Sequence, residues 1–347
     1  MARSQNLVIL FGAGATRGAL KAAVPPPPLD ADFFDIAGQL TGRGSQVLAR
    51  RVIRDLFELY QRVTGVGLEQ YFRDIEARAE IGRFAKSKNK PKDWKRRQED
   101  LEELIRRVII HTTCDLSGSP AKPRASKAHK GILRHLRAGD TLITFNYDTV
   151  IEESWPELAP GWRPRDGYGL SAAGSTHDWA RAWKDAHPNS VTPSRVALLK
   201  LHGSINWTLY PTREVRLKDR PYVVRSGIVD KCSVLPPGWH KQIHVNPYRT
   251  LWRQARLRLE SCSALAIIGY SLPEADVLAK ALFAEVSRLR AARKQFLRHL
   301  HIADPSAAVK NRFVDLFAPA LGPVGRTYFY HDIDELNQIW GTRPPTR

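Results

Sequence analysis

The sequence predicts an α/β protein, a parallel β-sheet with helices on both faces and a large helical insertion. Three observations carry that prediction. Four short apolar runs, at 7–11, 141–145, 196–201 and 264–269, are continuous rather than alternating, as strands covered on both faces are. The stretch between the first two repeats its apolar residues at helical spacing. Each run also ends in glycine, hydroxyl, amide, imidazole or carboxylate groups, the chemistry expected where parallel strands open onto a ligand crevice.

Taken in order, LVILF is the first strand, and it runs into Gly12, Ala13, Gly14, Ala15 and Thr16 before a helix. The opening MARSQNLVILFGAGA has the outline of a secretion signal, but five apolar residues before a glycine suit a strand entering a turn better. Four prolines at 25–28 then hold the chain extended. Residues 39–136 read as a helical insertion. SQVLARRVIRDLFELYQRV places Val47, Leu48, Val52, Leu56 and Leu59 near one face, and LEQYFRDIEARAEI and DLEELIRRVIIHT keep the same period. Inside it RFAKSKNKPKDWKRR, residues 83–97, sets eight basic side chains against one acidic one.

The second strand, TLITF, breaks at Asn146, Tyr147 and Asp148, and the third, VALLKL, ends at His202 and Gly203. Segments 156–194 and 207–245 read as loop-rich insertions, with a hairpin in YPTREVRLKDRPYVV. The fourth strand ends at Gly269, Tyr270 and Ser271. The helix PEADVLAKALFAEVSRLRAAR follows, with acids near its start and arginines toward its end, as the helix dipole favours. LHIAD and TYFYH are weaker strands, and DPSAAVKNRFVDLFA opens a helix with Asp304 and Ser306 as caps. The 347 residues are expected to form one domain.

Composition narrows the function. Cys114, Cys232 and Cys262 form no CxxC pair, which argues against a disulfide framework or structural zinc and for a reducing cytoplasm. No run approaches the ~18 apolar residues of a membrane span. The net charge is +19 and the pI about 10.1, a balance that attracts polyanions, so nucleic acid is a candidate partner through 83–97, with a solvated linker as the plainer account. No His, Asp or Glu cluster has clear metal spacing, so no metal is expected.

The glycine loop alone is a weak sign. It reads GxGxxxG with Gly18, not the dinucleotide fingerprint GxGxxG, and a tight turn explains it as well as a pyrophosphate does. Four strand ends of ligand-like chemistry say more, and point to one crevice on a Rossmann-like sheet.

GAGAT at 12–16, FNYD at 145–148, LHGS at 201–204 and GYSL at 269–272, in this order, resemble the sirtuin-like domain family, and within it the bacterial NAD-consuming antiphage-defence branch. Thr16 stands where sirtuins have serine, the zinc-binding cysteine pairs of protein deacylases are missing, and no insertion resembles an acyl-lysine groove. The resemblance therefore implies a NAD hydrolase that cleaves the nicotinamide–ribose bond to give nicotinamide and ADP-ribose, with NAD as substrate. Asn146 would position water or the ribose hydroxyls, with a strand-end cap as its plainer role. Asp148 would accept from the carboxamide or cap the following helix. His202 would be the general base, since an imidazole takes protons near neutral pH, although a lone histidine at a strand end is usually structural.

Gly12, Ala13, Gly14, Thr16, Gly203, Gly269, Tyr270 and Ser271 would surround the phosphates and riboses. Asp304 would accept from the adenosine ribose or act as a cap. Asp32 and Phe33 would approach the nicotinamide, or Phe33 would be core. The resemblance also implies a toxic effector of antiphage defence, homo-oligomeric and partnered by a ring-forming DNA-translocase ATPase or another phage sensor. Two other readings stay open: a non-catalytic NAD- or ADP-ribose-binding module, and a basic nucleic-acid-binding subunit of a defence complex.

Overall fold

Six strands pair side by side in the computed structural model, which describes residues 6–63, 65–84, 91–117, 121–155, 161–170, 194–209, 215–217, 233–234, 243–274 and 276–345. They are β1 (Leu7–Phe11), β2 (Thr141–Thr144), β3 (Ala197–Lys200), β4 (Ala264–Ile268), β5 (His299–Ala303) and β6 (Arg326–Tyr330). Their order is β6-β5-β4-β1-β2-β3, and every neighbouring pair is parallel. Every residue of β1, β2 and β4 is buried, which is why these strands read as unbroken apolar runs. The edge strand β6 instead exposes Arg326 and Phe329.

The chain steps from β1 through β2 to β3, then crosses back to begin β4 on the other side of β1. That reversal is a topological switch point, and it lies between the ends of β1 and β4. Helices α1 (Ala13–Ala19), α6 (Lys127–Leu133) and α11 (Ile333–Thr342) pack together on one face of the sheet. Helices α8 (Tyr248–Ser261), α9 (Val277–Ala292) and α10 (Ala307–Leu321) form the layer on the other, as right-handed crossovers require.

Between β1 and β2 the chain builds α2 (Phe33–Ala37), α3 (Arg43–Tyr60), α4 (Leu68–Phe84) and α5 (Pro91–Thr113) around a second core of Phe33, Phe34, Leu56, Tyr71, Phe72 and Ile105. Two residues from beyond the sheet, Tyr147 and Ile205, belong to the same cluster. The helical layer is thereby fastened to the carboxyl ends of β2 and β3.

The buried stripe of α3 is Leu48, Ala49, Val52, Asp55 and Leu56, so the apolar face begins one residue later than the sequence pattern placed it and Val47 is exposed. Asp55 is tolerated inside because Arg96 and Arg97 reach it at 3.2 and 3.7 Å. The described end of the basic stretch is thus paired internally. Lys95 faces Glu99, Arg96 also holds Asp100, and Arg97 holds Glu58 and lies over the Trp94 ring. Residues 85–90 of that stretch lie outside the described residues, as do 171–193 and most of 218–242. The hairpin pairs Trp207–Leu209 with Val215–Leu217, so its first strand precedes the segment from which the sequence suggested it. Among the described residues no helix is long and apolar enough to cross a membrane.

Candidate functional site

The four polar strand ends meet along one edge of the sheet. Leu201 N donates to Thr144 O at 3.0 Å, Ile205 N to Tyr147 O at 3.0 Å, and the Phe145 and His202 rings lie 4.9 Å apart, so FNYD and LHGS are side by side. Gly203, at φ +82°, occupies the left-handed region that favours glycine and turns the chain away from His202. Across the switch point, Gly12 N donates to Ile268 O at 3.0 Å and Gly14 N to Gly269 O at 2.8 Å.

The glycines are there for this docking. A Cβ on Gly12 would lie 2.5 Å from Gly269 O, and one on Gly269, itself at φ +59°, would lie 2.1 Å from Ala15 N. GAGAT and GYSL are therefore in backbone contact, with Ala13 exposed at the tip.

Thr16 ties the glycine loop to FNYD. Its hydroxyl donates to Asp148 Oδ2 at 3.0 Å and accepts from Asn146 Nδ2 at 3.0 Å. Asn146 Nδ2 also donates to Gly12 O at 2.9 Å, which commits both amide hydrogens and leaves Oδ1 as the group that can meet a ligand. Asp148 Oδ1 accepts from Val150 N at 2.9 Å, at the start of α7 (Val150–Glu153), so both of its oxygens are engaged within the protein. Thr149, not Asp148, is the N-cap of α7; Asp148 precedes it and holds the first helical amide while standing beside Thr16.

Beneath these loops lies a fully buried ion pair. Lys200 Nζ meets Glu152 Oε1 at 2.9 Å and also donates to the Asp148 carbonyl, while Tyr168 Oη donates to the same Glu152 oxygen at 2.9 Å. His129 of α6 packs against Phe11 with ring centroids 5.1 Å apart. Burial lowers its pKa to about 4, although the nearby Asp148 charge opposes that shift, so the imidazole is neutral.

His202 stands in an aromatic setting formed by Phe145, Tyr147 and Trp252. Its Nε2 is 3.8 Å from Asp276 Oδ2, and Tyr270 Oη donates to that same oxygen at 2.8 Å. Burial, then the Asp276 charge, pushes the Tyr270 hydroxyl well above its ordinary pKa, so it stays a donor. Asp276 is the residue that sequence reasoning missed. It reads as one of the acids at a helix start, and it does cap α9, accepting from Ala279 N at 3.4 Å, but its other oxygen faces Tyr270 and His202. Its position one short turn beyond a strand-end loop was the available sign.

The remaining residues divide. Ser271 is exposed at the edge, its carbonyl held by Arg312 at 2.6 Å. Asp304 ends β5 with Oδ1 accepting from Ser306 N at 2.9 Å, and burial raises its pKa. Ser306, not Asp304, caps α10. Phe33 is core, edge-on to Phe34 at 5.3 Å, and Asp32 pairs with Arg17 and accepts from Leu29 N at 2.7 Å. These two anchor the segment after the prolines, and no described hydrogen bond links Asp32 to Asn146, Asp148 or His202.

The model of one protein family, described as the SIR2-like domain, matches residues 140–314, half of the chain. The chain belongs to the SIR2-like domain family. No curated protein matches it. The SIR2-like span takes in β2 to β5 and with them FNYD, LHGS, GYSL, Asp276 and Asp304, whereas β1 and its glycine loop join from outside that span. SIR2-like domains use NAD. Among the described residues no group of three or more His, Cys, Asp or Glu side chains is placed to hold a metal ion.

Proposed function

We propose that this SIR2-like protein is a NAD glycohydrolase, releasing nicotinamide and ADP-ribose by attack of water on the nicotinamide-bearing ribose. The observation that carries the reading is that Asn146, its Oδ1 left available, and His202, in front of Asp276, follow the paired neighbouring strands β2 and β3. Cleavage builds positive charge on the ribose while nicotinamide leaves neutral. Asn146 Oδ1 accepts a hydrogen of the water and orients its lone pair toward that carbon. His202 takes the proton released as the water adds, and Asp276 orients the imidazole and stabilises its charge. One NAD, its nicotinamide ring cationic, and one water give neutral nicotinamide, ADP-ribose and a proton.

The glycine loop and Gly269–Ser271 face the pyrophosphate, and Asp304 Oδ2 accepts from the adenosine ribose. From His202 after β3 to Asp304 after β5 is four strand spacings, about 19 Å, a dinucleotide's reach. The helical layer of α3 to α5, within the stretch 39–136 read as an insertion into a single domain, covers the nicotinamide end. The resemblance of the four motifs supports a NAD-depleting role in antiphage defence, with an activating partner.

Purified protein, supplied with its trigger, is expected to release nicotinamide. Asn146→Ala and His202→Ala should each lower the rate by about 100-fold or more. Equal turnover in all three would end the assignment. The second reading, a module that binds NAD or ADP-ribose without turnover, draws on Asp148, whose two oxygens serve the fold. ADP-ribose binding without nicotinamide release would favour it.

A further inference from the structure

We propose that the cleft between α6 and α11 binds a chain of phosphates. The cleft, about 580 Å³, is lined by Lys127, Lys130, Arg134 and His135 on one wall and Asn337 and Gly341 on the other, with Gly131 at its floor. None of these residues belongs to the strand-end crevice, and all lie outside the SIR2-like span of 140–314. The cleft is independent of the NAD reading.

Lys127, Lys130 and Arg134 are exposed and fall at i, i+3 and i+7, a single stripe rising about 10 Å along the helix. Among the described residues none of the three side chains has a hydrogen-bonding or ion-pair partner. On α3 and α5, by contrast, Arg51, Arg96 and Arg97 all meet carboxylates. Carboxylates are also close to the cleft but are turned away from it. Asp334 holds Lys21 at 2.8 Å, Asp332 caps α11, and Glu335 accepts from the His331 amide. The wall facing the cations is therefore neutral, and the stripe keeps its mutual repulsion until an anion arrives.

The walls are held in place by packing. A Cβ on Gly131 would come within 1.9 Å of Asn337 Oδ1, so the helices touch there, and the His135 ring stands edge-on to Trp340 at 5.9 Å. Rises of about 4.5 and 6 Å between successive cations match a run of phosphates better than a single carboxylate. Arg134 adds a planar fork suited to phosphate oxygens. Free polyphosphate and a single-stranded nucleic-acid backbone share this chemistry.

Titration calorimetry of the full chain with tripolyphosphate and with a single-stranded oligonucleotide separates the two sources by which probe binds more tightly. Wild type should bind at least one. For the oligonucleotide, three contacts predict an affinity about 20-fold weaker at 200 than at 50 mM salt. The variant Lys127→Gln/Lys130→Gln/Arg134→Gln, whose exposed side chains leave the melting temperature unchanged, should bind the same probe at least tenfold more weakly. The variant Lys127→Arg/Lys130→Arg should retain it. Binding of neither probe to wild type, or equal binding by the glutamine variant, overturns the proposal.

Discussion

Thr16 carries one hydroxyl with two partners, donating to Asp148 and accepting from Asn146, and so fixes which atom of the amide remains for a ligand. A threonine in place of the sirtuin serine keeps that function. Asp276 is the other decisive residue. Asp276→Asn should lower kcat about tenfold or more while leaving KM nearly unchanged, because it removes the charge facing His202 and not a substrate contact. An unchanged kcat would leave Asp276 with its capping role only. It was hidden in the sequence because an acid at a helix start already has a sufficient explanation; only the fold reveals that its second oxygen faces back across the crevice. His129 gives a test at the same scale. Its folded pKa, about 4, lies below the 6.5 of an exposed imidazole. The unfolded chain therefore gains a proton that the folded one refuses as pH falls below 6.5. This group should remove about 2 kcal/mol of stability between pH 7 and pH 5. Urea unfolding of His129→Leu should lack that part of the slope; an identical pH dependence would contradict the assignment.

At the scale of elements, the strands were legible because burial on both faces forces uninterrupted apolar runs, and their polar ends were legible because nothing else in a core strand calls for Asn, His or Asp. The full reason for the glycines was not legible. They read as room for a pyrophosphate, and the structure adds that Gly12, Gly14 and Gly269 are required for one loop to lie on another. Gly269→Ala should cost about 1–3 kcal/mol through strain and overpacking and weaken ADP-ribose binding at least tenfold, as calorimetry would read. Lys200 also resisted reading, since nothing in VALLKL names a partner for its charge, yet it is fully buried on Glu152 although β3 is an edge strand. Lys200→Ala should lower stability by about 3–5 kcal/mol, whereas Lys200→Leu/Glu152→Leu should regain much of it. Denaturant midpoints decide between these outcomes.

For the molecule as a whole, the six-strand parallel sheet could be anticipated from strand count and pattern, but its order could not, because order depends on where the chain crosses back. That crossing sets β1 beside β4 and gathers segments from both halves of the sequence at one edge. The helical layer reaches the same edge through Tyr147 and Ile205, so the chain between β1 and β2 is structurally coupled to the candidate site. Net charge was a poorer guide, since arginines of the densest basic stretch proved to be paired with acids of α3 and α5. The claim beneath all of this is that one crevice receives one dinucleotide. A crystal structure with ADP-ribose tests it most directly. The pyrophosphate should lie across Gly12–Thr16 and Gly269–Ser271, with the adenosine ribose at Asp304 and the other ribose within hydrogen-bonding reach of Asn146. ADP-ribose bound away from these residues, for instance between α6 and α11, would contradict the account.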